Sequence, residues 1–254
     1  MKYYKKLLEL GVFSFKDIIN MTGNKETASS LIREYQKKDY VTRIKRDLYS
    51  AANLETGEPV VNKFEIASNI TDTSYVSHHS AFEYHGVMNQ VFYEVYVGSK
   101  SKFNNFDFSD IEYICIGSRF NDGVVKVENN VYVTDMERTV LDSIKDFEKI
   151  GGLEELLQCL DLITFLDNKK LIKYLTCYNL KIMYQKTGFI LEHLKKDLKL
   201  PDSFFEFCQS KINKSKRYLY KKVKNVNNHY NKKWQLVVPD DFMSGNRFEG
   251  DRFV

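Results

Sequence analysis

Proline is scarce in this sequence, with 3 residues among 254, and glycine is limited to 12. Hydrophobic residues make up 43% and aromatics 14%, so disorder over most of the length is excluded and a real core is expected. Cysteine is also sparse: Cys115, Cys159, Cys177 and Cys208 lie far apart with no C-x-x-C pair. Together with the absence of a charged-then-apolar leader, this points to a reduced, cytoplasmic protein. Long apolar runs are missing too. The most apolar window, LLQCLDLITFL from Leu156 to Leu166, is interrupted by Asp161 and falls short of the roughly 20 residues that span a bilayer. No membrane partner is expected.

The length suits two domains, since domains cluster near about 100–150 residues. Lysine exceeds arginine and asparagine is frequent, a bias associated with bacterial coding. The formal net charge of +4 hides a pattern: +3 over residues 1–60, −8 over 61–160 and +9 over 161–254. Two basic ends flank an acidic middle, and charge concentrated in this way steers a polyanion better than a uniform surface does. Lysine-rich solvated helices would give the same count at the C-terminal end.

In YYKKLLEL, Tyr4, Leu7 and Leu8 form one apolar stripe on a short helix that Gly11 can end. In SFKDIINMTG, Ser14 and Asp17 have capping-box spacing and Phe15, Ile18 and Ile19 repeat the stripe. After a turn at Met21 to Gly23, Asn24 can cap a third helix with Ala28, Leu31, Ile32 and Tyr35 facing inward. Its outer side carries Lys25, Glu26, Ser29, Ser30, Arg33 and Lys37. A short helix, a tight turn and a helix with a small, polar outer face are the order of a helix-turn-helix. A plain three-helix bundle fits these helices equally well.

The next stretch, TRIKRDLYS (residues 42–50), favours the first reading. Val41–Ile44 and Leu48–Ser50 read as strands joined by a turn near Lys45–Asp47, so Arg43, Lys45 and Arg46 project from a hairpin. That is the wing of a winged helix, and its cations suit the sugar-phosphate backbone. Asp47 stands where such a turn favours glycine, which predicts an irregular wing and puts a negative charge beside phosphate. A winged helix that binds only protein is the other reading of the same pattern.

Residues 51–62 carry Gly57 and Pro59 without periodicity and read as a linker. In YVSHHSAFEYHG, His78, His79 and His85 have no zinc-site spacing and no nearby cysteine, so capping and packing are expected of them and no metal. Alternation marks strands at VFYEVYVGS (91–99), IEYICIG (111–117) and VVKVENNVYV (124–133), the last folding back at Asn129 and Asn130, which gives a small, partly antiparallel sheet. TDMERTVLDSIKDF then starts a helix with Thr134 and Glu137 in capping-box spacing. Asp135, Glu137 and Asp142 could instead hold Mg²⁺ in a nuclease-like site, although no strand-borne Asp/Glu-x-Lys completes the set.

The remainder is largely helical, with Pro201 in the first turn of one helix. KINKSKRYLYKKVK (211–224) interleaves cations with Tyr218, Leu219 and Tyr220, a pattern that serves nucleic-acid binding through charge and stacking. WQLVVPDDF closes with a strand. The expected fold is therefore α+β: a winged helix-turn-helix at 1–52, a linker at 53–62, and a larger mixed α/β domain at 63–254 with a small sheet and several helices.

The basic RIKRDLY wing, YVSHHSAFEYHG, VYVTDMERTVLDSI, QKTGFILEHL and a late W-x-L-x-VP stand in this order over nearly the whole chain. In that order the sequence resembles the AbiEi antitoxins of bacterial type IV toxin–antitoxin (abortive phage infection) systems. The resemblance implies a non-enzymatic, cofactor-free transcriptional repressor. It would bind inverted repeats in the double-stranded DNA of its own promoter, as a monomer or weak dimer that is cooperative on DNA. The C-terminal domain would counteract a nucleotidyltransferase-like toxin without a stable complex. Carried onto this sequence, the DNA face is Lys25, Ser29, Ser30, Arg33 and Lys37 with Arg43, Lys45 and Arg46. The cations Lys211, Lys214, Lys216, Arg217, Lys221 and Lys222 are a candidate antitoxicity surface. The tail GNRFEGDRFV carries no feature of the family.

Overall fold

The computed structural model describes residues 2–88, 90–213 and 215–242. The chain is mixed α/β with three small sheets among the described residues. It divides into two compact units: Met1–Ser80, Phe92–Arg119 and Val125–Val133 form one, and Ala81–Val91, Phe120–Val124 and Thr134–Val254 the other. The N-terminal helices thus share a unit with most of a central sheet, a partition along different lines from 1–52, 53–62 and 63–254. Residues 53–62 form a hydrogen-bonded turn, with Asn53 N–H donating to Glu58 O at 2.7 Å and Val60 N–H to Ala51 O at 3.0 Å.

The first unit opens with α1 (Tyr4–Leu10), β1 (Val12–Phe13), α2 (Phe15–Thr22), α3 (Lys25–Lys37), β2 (Val41–Lys45) and β3 (Leu48–Ala51). Ser14 N–H donates to the Asp17 carboxylate at 2.8 Å and Asp17 N–H to Ser14 Oγ at 3.3 Å, so both halves of the expected capping box form. Gly23, at φ 88°, ends α2, and Asn24 Oδ1 accepts from Thr27 N–H at 2.7 Å to start α3. Tyr4, Leu7, Ile18, Ala28, Ile32 and Tyr35 meet Phe13, Val41 and Ala51 in one core. Leu8, expected on the inner stripe, is 39% exposed. Successive residues of a helix point roughly 100° apart, and the short α1 buries only the Tyr4–Leu7 seam. β3 is central, flanked by β1 and β2, both antiparallel to it.

The central sheet follows α4 (Lys63–Ser68) and contains β4 (Tyr75–Val76), β5 (Glu94–Ser99), β6 (Phe106–Phe108), β7 (Ile111–Gly117), β8 (Val124–Lys126) and β9 (Tyr132–Thr134), with α5 (His78–Tyr84) after β4. The strand order is β6-β7-β5-β4-β9-β8. β4–β5 and β6–β7 are antiparallel, while β5–β7 and β4–β9 are parallel, so the sheet is mixed as expected. β5 starts at Glu94, not Val91: the sheet pairing begins at Glu94↔Glu112, and Val91 and Tyr93 before it lie 77% and 72% exposed. His78 Nδ1 is 2.9 Å from Ser77 Oγ, and His79 lies against the rings of Phe92 and Tyr96. His79 is 1% exposed, and neither ring nitrogen meets a hydrogen-bond partner among the described residues. Burial, helped by the nearby Lys63 charge, lowers its pKa to about 4.

The second unit carries α6 (Met136–Asp146), α7 (Leu153–Asp161), α8 (Asn168–Tyr178), α9 (Lys181–His193) and α10 (Asp202–Lys211), then β10 (Arg217–Tyr218), β11 (Asn228–Asn231) and β12 (Leu236–Pro239). α6 corrects the expected Thr134 cap. Asp135 is the N-cap, its carboxylate accepting from Arg138 N–H at 3.0 Å, while the Thr134 hydroxyl is taken by Thr139 Oγ1 at 2.7 Å. Aspartate caps at least as well as threonine, and Thr134 still belongs to β9. Pro201 likewise stands one place before the first turn of α10, as its N-cap. Along α9, Gln185, Gly188 and Glu192 share one face and meet Trp234. The Trp234 indole N–H donates to Glu192 at 2.9 Å, and the Gln185 amide donates to the Trp234 carbonyl at 3.2 Å. A Cβ on Gly188 would lie 2.0 Å from the indole ring, so only glycine lets the fully buried Trp234 seat against the helix backbone.

Gly188→Ala is expected to cost about 1–3 kcal/mol by overpacking, read as a lower midpoint in urea and a red shift in emission from the single tryptophan. For His79, the ordinary pKa near 6.5 lies above the folded value of about 4, so the unfolded chain binds the proton first. Its contribution is complete above roughly pH 6.5 and is lost as pH falls towards the folded pKa, on the order of 3 kcal/mol in all. Urea titrations at several pH values should show that slope in the natural protein and a flatter one in His79→Phe.

Candidate nucleic-acid interface

α3 carries its polar residues on one side. Lys25, Ser30, Arg33 and Lys37 are exposed and Ser29 is half-buried, at spacings that keep them on adjoining turns. The core takes the opposite side through Ala28, Ile32 and Tyr35. The carboxylate of Glu34 is engaged by Lys38 at 2.6 Å one turn on, which leaves the Arg33–Lys37 edge with the field of its cations.

In the hairpin after α3, Arg43 pairs with Tyr49 and Lys45 with Leu48, with a shift of register between Arg43 and Lys45. Such an irregularity re-aims the side chains on either side of it. Arg43 is exposed, and its Nε donates to Lys45 O at 3.2 Å. Arg46 is exposed at the turn. Lys45 goes elsewhere: its ammonium lies 5.1 Å from the ring centroids of both Phe103 and Phe106, and partial burial pushes its pKa below the usual lysine range. The three hairpin cations therefore divide into two in solvent and one over aromatic rings.

Asp47 accounts for the missing glycine. It adopts φ 63°, a left-handed conformation that aspartate tolerates better than most residues. Its carboxylate accepts from Phe15 N–H at 3.0 Å, at the electropositive start of α2. Glycine would relieve the backbone and lose this tie between the hairpin turn and the helix. The sequence signal was the pairing of an acidic turn residue with an unsatisfied first-turn N–H, which only the tertiary arrangement joins.

Lys211, Lys216, Arg217, Lys221 and Lys222 are all exposed, from the last residue of α10 through β10 to the following 3₁₀ turn. Lys214 and the GNRFEGDRFV tail lie outside the described residues.

The carboxylates weighed as metal ligands are engaged by protein donors. Asp135 accepts from Arg138 N–H and from Tyr174 OH at 2.8 Å, with Lys170 at 3.1 Å. Glu137 accepts from Asp167 N–H at 2.9 Å and from Lys170 at 3.2 Å. Asp142 pairs with Arg138 at 2.9 Å, both buried, and also accepts from Tyr178 OH. The Arg138 guanidinium lies 3.8 Å from the Phe120 ring centroid and donates to Asp122 O at 2.7 Å, which offsets the desolvation of a buried ion pair. Among the described residues no group of three or more His, Cys, Asp or Glu side chains is arranged to hold a metal ion. Nor is any helix among them long and apolar enough to cross a membrane.

The fold defines a mixed α/β chain with small sheets. No family model matches the sequence, and no curated protein matches it. Among solved structures, the crystal structure of the RV2827C protein from Mycobacterium tuberculosis is similar, with a TM-score of 0.60 at 11% identity, over 89% of this chain and 85% of that one. A likeness at this identity speaks to the fold alone.

Asp47→Ala should lose both the tie to α2 and the tolerance of positive φ, destabilising the protein by about 1–3 kcal/mol. Asp47→Asn keeps an acceptor oxygen and the backbone preference and should lose less than about 1 kcal/mol. Chemical denaturation of the two variants separates these outcomes.

Proposed function

We propose that this chain is a cytoplasmic DNA-binding antitoxin and autorepressor of a type IV toxin–antitoxin operon. It reads inverted repeats in its own promoter through an N-terminal winged helix. The observation that carries this reading is one run of chain. α2, a tight turn at Gly23 and α3 are followed at once by a hairpin, with a three-stranded sheet in the order β1-β3-β2. The polar side of α3 and the hairpin both bear exposed cations: Lys25, Arg33 and Lys37 on the helix, and Arg43 and Arg46 beyond it.

In this reading α3 lies in the major groove. Ser29 and Ser30 are small enough for the helix backbone to approach the base pairs, and Arg33 reaches base edges. Arg43 and Arg46 meet phosphates, which position the protein without specifying sequence. Lys45 supports the hairpin from its place over Phe103 and Phe106. Asp47 is held back against α2, so its charge is partly spent within the protein. The C-terminal part of the chain opposes a nucleotidyltransferase-like toxin without forming a stable complex with it, and two copies bind cooperatively on paired half-sites.

Electrophoretic titration against the chain's own upstream duplex tests this directly. Arg43→Glu combined with Arg46→Glu should weaken binding to all duplexes alike and flatten the salt dependence by about 0.9 per lost phosphate contact. Arg33→Ala should cost about 1–3 kcal/mol on the specific site and less on unrelated DNA. Unchanged binding in the double Glu variant would remove the hairpin from the interface. No retention of any duplex at low salt would leave the N-terminal helices as a protein-binding module.

A further inference from the structure

Between Phe207 and Pro239 the sequence has nine lysines and arginines and no aspartate or glutamate. This stretch builds the small sheet of order β10-β12-β11. Tyr218 on β10 and Tyr230 on β11 both pair with Val237 on the central strand, so all three side chains emerge on one face in a single row. Two strand spacings separate the tyrosines, roughly 10 Å. Val237 between them is buried, yet Tyr218 and Tyr230 are 39% and 37% exposed. The opposite face of β12 is closed, since Leu236 and Val238 are fully buried. Each exposed ring has an exposed lysine over it: Lys224 Nζ lies 4.8 Å from the Tyr218 centroid and Lys216 Nζ 5.5 Å from that of Tyr230. Among the described residues no carboxylate pairs with Lys216, Arg217, Lys221, Lys222 or Lys224.

The geometry points to a second nucleic-acid site, distinct from the N-terminal helices and hairpin: this sheet face binds single-stranded nucleic acid, stacking bases on Tyr218 and Tyr230 and holding the backbone with Lys216 and Lys224. An exposed aromatic row in a field of one sign is the arrangement that a strand of unpaired bases requires and that duplex DNA, with its bases stacked inside, cannot use. A lysine resting on an exposed ring contributes little there, and it is free to move to a phosphate when a base takes its place. A polar group at the rim suits such a ligand as well. The Tyr230 hydroxyl donates to Gln235 Oε1 at 2.6 Å, which orients it. The stacking faces are hydrophobic and sequence-tolerant, so the site is one of affinity for unpaired strands and not of sequence readout.

Fluorescence anisotropy with a labelled oligouridine of 12 nucleotides, competed by its own duplex and by inorganic polyphosphate, tests the assignment on the full chain. The single strand should bind at low salt and be displaced by unlabelled single strand far better than by polyphosphate. Tyr218→Ala with Tyr230→Ala should weaken binding at least about tenfold, whereas Tyr218→Phe with Tyr230→Phe, which keeps both rings, should stay within about threefold. Trp234 emission and the urea midpoint report whether each variant folds. If the alanine pair does not, Lys216→Glu with Lys224→Glu on exposed sites should lower the salt slope by about 0.7 per lost contact. Four results would each overturn the site: no oligouridine binding, equal displacement by polyphosphate, folded alanine variants that bind like the natural protein, or an unchanged salt slope in the Glu pair. The two interfaces are separable, because Arg43→Glu with Arg46→Glu should leave oligouridine binding intact.

Discussion

The indole of Trp234 lies against the backbone of α9 at a distance that a single methyl group at position 188 would forbid, and the second unit is organised around that contact. Gln185 and Glu192, on the same helix face, hold the tryptophan at its carbonyl and at its ring N–H. Burying so large a ring is among the stronger single contributions to a core. The two hydrogen bonds remove the cost of burying its polar atoms. β12 begins two residues later, so the orientation of Trp234 sets which residues of the last sheet face inward. Leu236 and Val238 follow it into the core, and the alternation places the row of Tyr218, Val237 and Tyr230 on the other face. The face proposed to bind unpaired bases therefore owes its direction to a glycine on α9.

In the first unit a smaller contact has a comparable reach. Asp47 combines a backbone conformation that most residues avoid with a carboxylate aimed at the first turn of α2. The hairpin turn is thereby fixed to the helix that precedes α3, and Lys45 fixes its other side over Phe103 and Phe106. Of the three hairpin cations, Arg43 and Arg46 remain exposed. Rigid attachment of a cationic loop lowers the ordering cost when it meets a polyanion, and the attachment uses one acidic and one basic residue that would otherwise have modified the surface field.

Much of this was legible in the sequence where local chemistry decides it. The Ser14–Asp17 box and the Asn24 cap name their own positions, while the turn read over Met21 to Gly23 shrinks to Gly23 because α2 runs through Thr22. The strands around Val97 and Ile114 stand where they were read, although β5 is buried along nearly its whole length and shows no alternation. β1 and β6 have two and three residues, too few to display a period. The start of α6 slipped by one residue because Thr134 and Asp135 are both competent caps, and only the sheet decides between them. Leu8 satisfied the helical stripe yet lies 39% exposed, beside the seam that Tyr4 and Leu7 bury. Among the candidate site residues, the exposed positions on α3 followed from helical periodicity. The diversion of Lys45 and the use made of Asp47 did not, since both depend on residues far along the chain. The pairing of Gly188 with Trp234 was equally hidden, although both stood in motifs that the sequence had already singled out.

The proposed function requires duplex DNA to meet α3 and the hairpin that follows it. Hydrogen–deuterium exchange of the full protein, with and without its own upstream duplex, measures this segment by segment. Slowed exchange is predicted over α3 from Lys25 to Lys37 and over the hairpin from Val41 to Leu48, with β10 to β12 unaffected. Protection confined to the C-terminal sheet, with α3 and the hairpin unchanged, would contradict the reading and move the interface to the other unit.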